Sequence, residues 1–239
     1  MRSDLIAAGM IRSWLDTHAP EVAQDWAFQP DEELNGFVKR IKSVMAEIDA
    51  QFVSQAAIAR TAIEHWRLRD VAILGGGTPS PLSPRPDQAL YFTDANPAVI
   101  DEVSKLGYSV RRVDIQNLSD LRLLTGARTA IATGLFHFLD DEAAWGTFEN
   151  LYQAGFEQVI FNNMNKNVPD DLAANWAKMG HTPYRRDPQD IQVLLPDHWE
   201  LMEAINAPRF LSYNRQLGDA FSKLADINTV YRIIRRQTA

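Results

Sequence analysis

The chain has 239 residues, a formal net charge of -7 and no cysteine. That length fits one large domain, or one domain with an appendage. The acidic balance argues against non-specific nucleic-acid binding, which needs a basic surface, and the missing thiols exclude disulfides, thiol catalysis and zinc–thiolate sites. Nothing approaches the roughly 20 apolar residues of a membrane-spanning helix. The apolar stretch within Met1 to Met10 is too short for a signal peptide, so the expectation is a cytoplasmic protein.

Residues 3 to about 69 read as helices. Leu5, Ile6, Met10, Ile11, Trp14 and Leu15 recur at helical spacing, and Leu34, Phe37, Val38, Ile41, Val44, Met45 and Ile48 form a second apolar face after a capping Asp31. A third segment, Phe52 to Leu68, carries Ile58, Ile63 and Trp66. Residues 1–69 are therefore predicted to form an N-terminal helical cap, with Trp14, Trp26 and Trp66 as core residues.

From Asp70 the pattern alternates. Val71–Leu74, Ala89–Thr93, Ser109–Val113, Thr129–Thr133 and Gln158–Phe161 read as strands, and Pro97–Leu106 and Glu142–Tyr152 as helices between them. This rhythm predicts a mostly parallel sheet with helices on both faces. Pro79, Pro81, Pro84 and Pro86 follow the first strand. Proline in a helix interior costs about 3 kcal/mol, so the first crossover helix should be short or absent. Further on, Pro169–Met179 reads as a helix, His181–Asp190 as a polar loop, Pro196–Ile205 as a helix, and Arg209–Arg215 and Thr229–Arg235 as a terminal antiparallel pair of strands.

The stretch around which the chain is organised is Val71 to Leu82. An apolar run ends in Gly75, Gly76 and Gly77, and the second strand ends in Asp94, 19 positions after Gly75. Strand, glycine turn, crossover, strand and acid is how a nucleotide-like ligand is held at the carboxyl edge of a parallel sheet: glycines admit the backbone and the acid accepts from ribose hydroxyls.

With these residues in place, residues 70–236 resemble the class I S-adenosylmethionine-dependent methyltransferases. Leu74-Gly-Gly-Gly-Thr78 looks like the family's first motif, and Thr93-Asp94-Ala95-Asn96-Pro97 like the ribose-binding acid at the end of the second strand. Val113-Asp114-Ile115 looks like the third-strand end that meets the adenine amino group, and Thr133-Gly134 through Asp140 like the segment facing cofactor and substrate. The resemblance implies a Rossmann-like, mostly parallel seven-stranded sheet over residues 70–239, with an antiparallel C-terminal edge. It implies S-adenosyl-L-methionine as cofactor, held by Gly75, Gly76, Gly77, Asp94, Ala95, Asp114, Ile115, Thr133 and Gly134, and no metal. A small-molecule substrate is the expected partner, with neither nucleic acid nor membrane; a homodimer is compatible with this reading. One position departs: the family has an acid two residues before the first glycine, and here stands Ile73. The glycine turn and Asp114-Ile-Gln-Asn-Leu118 also resemble, faintly, nicotianamine synthase, which transfers the aminocarboxypropyl arm of the same cofactor.

The resemblance leaves the chemistry to particular side chains. His137, after the fourth strand, is the candidate general base, since histidine titrates near neutrality; the alternative is a packing residue that orders the loop. Asp140 and Asp141 read as helix caps. Asn162, Asn163 and Asn165 offer amides for a polar substrate, or simple turn chemistry. Tyr184, Arg185 and Arg186 offer a site for a substrate carboxylate or phosphate, or an exposed cationic loop. Asp114 serves equally as a strand-end turn residue. The expectation is methyl transfer to oxygen or nitrogen of a small polar metabolite, with aminocarboxypropyl transfer and a non-catalytic binding protein as the alternatives.

Overall fold

A computed structural model describes residues 54–77, 79, 82–170, 173, 183–214 and 226–236. The helices expected before residue 54, and most of the helix expected at 169–179, lie outside the described residues. The chain divides into two units; the one that carries the sheet comprises Val53–Val168 and Tyr184–Ala239.

A helix over residues 54–65, α1, leads into strand β1 (Val71–Ile73). Among the described residues, the connection to β2 (Tyr91–Asp94) holds only a 3-10 turn at Pro86–Gln88, as its prolines require. Helix α2 (Pro97–Ser104) starts at an Asn96 cap whose Oδ1 accepts from Ala98 N at 3.0 Å. There follow β3 (Val110–Arg112), the short α3 (Leu118–Leu121), β4 (Thr129–Ala132), a 3-10 turn at Phe136–Phe138, α4 (Asp141–Gln153) and β5 (Gln158–Met164). The chain closes with α5 (Pro188–Leu194), β6 (Trp199–Asn206), α6 (Ala207–Leu211) and β7 (Asn228–Arg235).

The seven strands lie in the order β3-β2-β1-β4-β5-β7-β6. The first five pair in parallel, and β7 runs antiparallel to both β5 and β6. The reversal of order between β1 and β4 places a crevice at the carboxyl edge, where open α/β sheets bind ligands. The sheet is buried on both faces. Ala72, Leu74, Ala130, Ala132, Val159, Phe161, Tyr231 and Ile233 join one core with Ala144, Phe148 and Leu151 of α4. The alternate residues Ile73, Ile131, Ile160 and Val230 are equally buried on the other face, where the Arg232 guanidinium stands 5.3 Å from the Trp66 ring and Trp66 meets Phe210 of α6.

Four expectations are corrected. The strongest helix formers of the C-terminal part, Glu200-Leu-Met-Glu-Ala204, lie in β6, not in a helix. Pairing with β7 and burial of Trp199, whose Nε1 donates to Phe148 O at 3.0 Å, override the propensity. Arg209, Phe210 and Leu211, expected to open the next strand, instead belong to α6, because Asn206 caps it, accepting from Arg209 N at 3.2 Å, and Pro208 sits in its first turn. The loop expected through Asp190 ends early: Asp187 and Pro188 start α5, and the Asp190 carboxylate accepts from Asp187 N at 2.8 Å. Finally, β5 runs three residues further than expected, because β7 pairs with Asn162, Asn163 and Met164. No helix of the described residues is long and apolar enough to cross a membrane.

Candidate functional site

The carboxyl end of β1 is sewn to β4 and to β2 by backbone. Leu74 N donates to Ile131 O at 2.8 Å, and Gly76 N donates to Thr93 O at 2.9 Å. Gly76 is required by close approach: a Cβ there would fall 2.3 Å from the ring of Phe92, which is itself buried against Tyr108. Gly77 N then donates to Asp94 Oδ2 at 3.1 Å, while Asp94 Oδ1 accepts from Asn96 N at 2.9 Å. One carboxylate therefore fixes both the glycine turn and the start of α2. Among the described residues, nothing lies within 4 Å of where a side chain would begin at Gly77, so the turn presents bare backbone there. Ala95 is exposed, and its carbonyl accepts from Arg112 Nε at 3.0 Å.

At the end of β3, Asp114 is exposed and makes the turn its alternative reading foresaw: Oδ1 accepts from Gln116 N at 2.9 Å, and its own N donates to Asp120 Oδ2 at 3.0 Å. Ile115 is buried in the core under α4.

The edge beyond β4 is built differently, by side chains from distant parts of the chain. Thr133 is buried, and Gly134 adopts φ +81, where a side chain is strained. Gly134 N donates to the fully buried Asn162 Oδ1 at 2.8 Å, and Asn162 Nδ2 donates to Asn228 Oδ1 at 3.3 Å. On its other side Gly134 meets Gln55 of α1, whose Oε1 would lie 2.3 Å from a Cβ at this position. The next residue, Leu135, covers Gly75 of the glycine turn.

Phe136 stacks on Phe148 at 4.6 Å and tilts against Phe161 at 4.7 Å. The His137 ring is fully buried beside Phe138 at 4.1 Å, and its carbonyl accepts from Tyr184 N at 2.7 Å. Asn163, also fully buried, donates from Nδ2 to Tyr184 O at 2.9 Å and to Met164 O at 2.8 Å. Among the described residues its Oδ1 has no hydrogen-bond partner. His137, Asn163 and the Tyr184 backbone thus come together, and Asp140 caps α4 as expected, accepting from Ala143 N at 2.8 Å. Tyr184 and Arg185 turn outward. They line a groove of about 660 Å³ with Trp145, Lys166 and Val193, and Arg185 donates to Val168 O at 3.1 Å.

Arg186 is neither an anion site nor part of an exposed cationic loop. It is 4% exposed. Its guanidinium donates to Phe136 O at 3.0 Å, to Leu139 O at 2.7 Å and to Asp141 Oδ1 at 2.8 Å, so it holds the whole segment after β4. The Tyr231 hydroxyl donates to Arg186 O at 3.0 Å, and burial pushes that hydroxyl well above the usual tyrosine range. Arg186, Gln55 and Asn228 are the residues that sequence reasoning missed in these roles. Gln55 sits in a segment read only for its apolar face, and Arg186 is one of two adjacent arginines with nothing local to tell them apart.

The strand order, the reversed β7 and the glycine turn facing an acid at the end of β2 define the fold of the class I S-adenosylmethionine-dependent methyltransferases. Among solved structures, the chain is similar to a DUF574 family protein from Streptomyces avermitilis (TM-score 0.61, 13% identity, 92% of this chain and 97% of that one). It is also similar to a putative methyltransferase from Thermobifida fusca (TM-score 0.56, 13% identity, 77% and 81%). A third similar structure is magnesium protoporphyrin IX methyltransferase from Synechocystis PCC 6803 with bound S-adenosylhomocysteine (TM-score 0.55, 12% identity, 96% and 100%). No protein-family model matches the sequence, and no curated protein matches it.

Proposed function

We propose that the protein is an enzyme that transfers a methyl group from S-adenosyl-L-methionine to oxygen or nitrogen of a small polar metabolite in the cytoplasm. The observation that carries this reading is the Asp94 carboxylate, locked by Gly77 N and Asn96 N beside bare glycine backbone at the switch point of the sheet. The cofactor supplies a methyl group on a positively charged sulfur, which a nucleophile displaces directly.

Around it the chain has mainly to orient the reactants. Asp94 accepts hydrogen bonds from the ribose hydroxyls, with Ala95 beside it. Gly75, Gly76 and Gly77 let the backbone approach. Asp114 and Ile115 take the adenine end. Thr133 and Gly134 line the segment between cofactor and acceptor. His137 acts as base or orients the acceptor, and Asn163, whose Nδ2 donates to Tyr184 O, is tied to it through the Tyr184 backbone. Asn162 serves by holding Gly134. Tyr184 and Arg185 extend the acceptor site toward the groove. The net charge of -7 fits a small acceptor better than a nucleic acid.

Incubation with S-adenosylmethionine and pooled small polar metabolites, followed by mass spectrometry, tests the reaction. S-adenosylhomocysteine is the expected by-product. Methylthioadenosine would instead establish aminocarboxypropyl transfer, the alternative suggested by the glycine turn and the Asp114–Leu118 segment. With the acceptor in hand, His137→Ala should lower turnover by about 10²–10⁴-fold if His137 moves a proton, with cofactor affinity unchanged. A loss of only a few fold would make it a packing residue.

A further inference from the structure

We infer that Gln55 of α1 holds the amino-acid end of the cofactor and thereby replaces the acid that Ile73 displaces; this rests on the reading of the site as one for S-adenosylmethionine. Three observations lead to it. First, the residue two places before the first glycine carries no charge, and Ile73 is buried in the apolar face of the sheet opposite α4, with no polar atom to offer. Second, a ligand whose ribose lies on Asp94 and whose adenine reaches toward β3 has its other end on the opposite side, past β1 and toward β4. The end of β4 is two strand spacings from the end of β2, about 10 Å. Third, the side chain that stands there is Gln55, in van der Waals contact with the bare Cα of Gly134, next to Leu135 and through it Gly75.

The fit with Gly134 is specific. Any side chain at 134 would overlap the Gln55 carboxamide, with Oε1 at 2.3 Å, Cδ at 2.5 Å and Nε2 at 2.7 Å from its Cβ. Gly134 is pinned from the other side by Asn162, so the amide rests on a fixed floor. Gln55 is only half-buried, although the helix around it is fully buried at Ala57, Ile58 and Ala62. A carboxamide has two N–H donors and one carbonyl acceptor. It therefore matches a zwitterion, donating to the carboxylate and accepting from the ammonium, without the charge of the family's acid.

Calorimetry with two probes tests this. S-adenosylhomocysteine carries the amino-acid end; 5′-methylthioadenosine has the same adenine and ribose without it. Gln55→Ala and the closer-sized Gln55→Leu should each bind S-adenosylhomocysteine about tenfold more weakly than wild type, the size of one or two hydrogen bonds. Affinity for methylthioadenosine should change by less than about twofold. Equal losses for both probes, or no loss for either, overturn the inference and leave the cofactor reading standing. A wild-type protein that binds neither probe overturns the cofactor reading, and this inference with it.

Discussion

The two halves of the sheet's carboxyl edge are held by different means. Between β1 and β2 the turn is fixed by backbone and one near carboxylate: Gly77 and Asp94 are 17 residues apart, and every group needed stands in two short motifs. Beyond β4 the turn is fixed by side chains drawn from across the chain. Asn162 reaches Gly134 over 28 residues and Arg186 reaches Phe136 over 50. The first half is a compact device that any ligand of this shape can use. The second is a scaffold of buried polar contacts. The comparison teaches that the buried polar contacts beyond β4 should weigh most in stability, and the Asp94 carboxylate most in cofactor affinity.

The largest expected effect on stability lies in the second half. Arg186→Met removes the hydrogen bonds to Leu139 O, Phe136 O and Asp141 from a site that is 4% exposed. The expected loss is about 3 kcal/mol in urea unfolding, since hydrogen bonds to a charged group contribute about 1.5–3 kcal/mol each and a buried carbonyl is left without its donor. A loss below about 1 kcal/mol would mean that the segment after β4 does not depend on this residue. Asn162→Ala comes next, at about 1–3 kcal/mol, because it leaves Gly134 N without its acceptor. Unchanged unfolding would show that Gly134 is held by other contacts.

The smallest effect is at Tyr231. Burial raises its hydroxyl pKa in the folded protein. The fold therefore favours the neutral phenol, and its contribution is complete below the ordinary tyrosine pKa of about 10 and is lost as pH rises above it. Tyr231→Phe should cost about 1 kcal/mol at neutral pH through the lost bond to Arg186 O, and it should flatten part of the decline in stability above about pH 10. An alkaline decline identical to that of wild type would contradict this.

The same contrast explains what was legible in the sequence. The order of strands from Val71 to Phe161, the proline-broken first crossover and the glycine–acid pair all depend on local chemistry, and they could be read. The C-terminal part could not, because Glu200 to Ala204 are helix formers placed in an edge strand by their partner β7. Asn162 and Asn163 look like a turn when read alone; they become strand because β7, more than 60 residues later, pairs with them. Arg185 and Arg186 are indistinguishable by type, yet one is exposed and the other is buried against three acceptors. Gln55 gave no signal, because its role depends on the absence of a side chain at Gly134.

The central claim is that the glycine turn and Asp94 hold the ribose of S-adenosylmethionine. Titration of the wild-type protein and of Asp94→Ala with S-adenosylhomocysteine in a calorimeter tests it most directly. The prediction is one ligand per chain for the wild type, and an affinity lower by roughly 10–150-fold in the variant, the equivalent of about 1.5–3 kcal/mol for a charge-assisted contact. No binding by the wild type, or equal affinity in a variant that is folded, would contradict it.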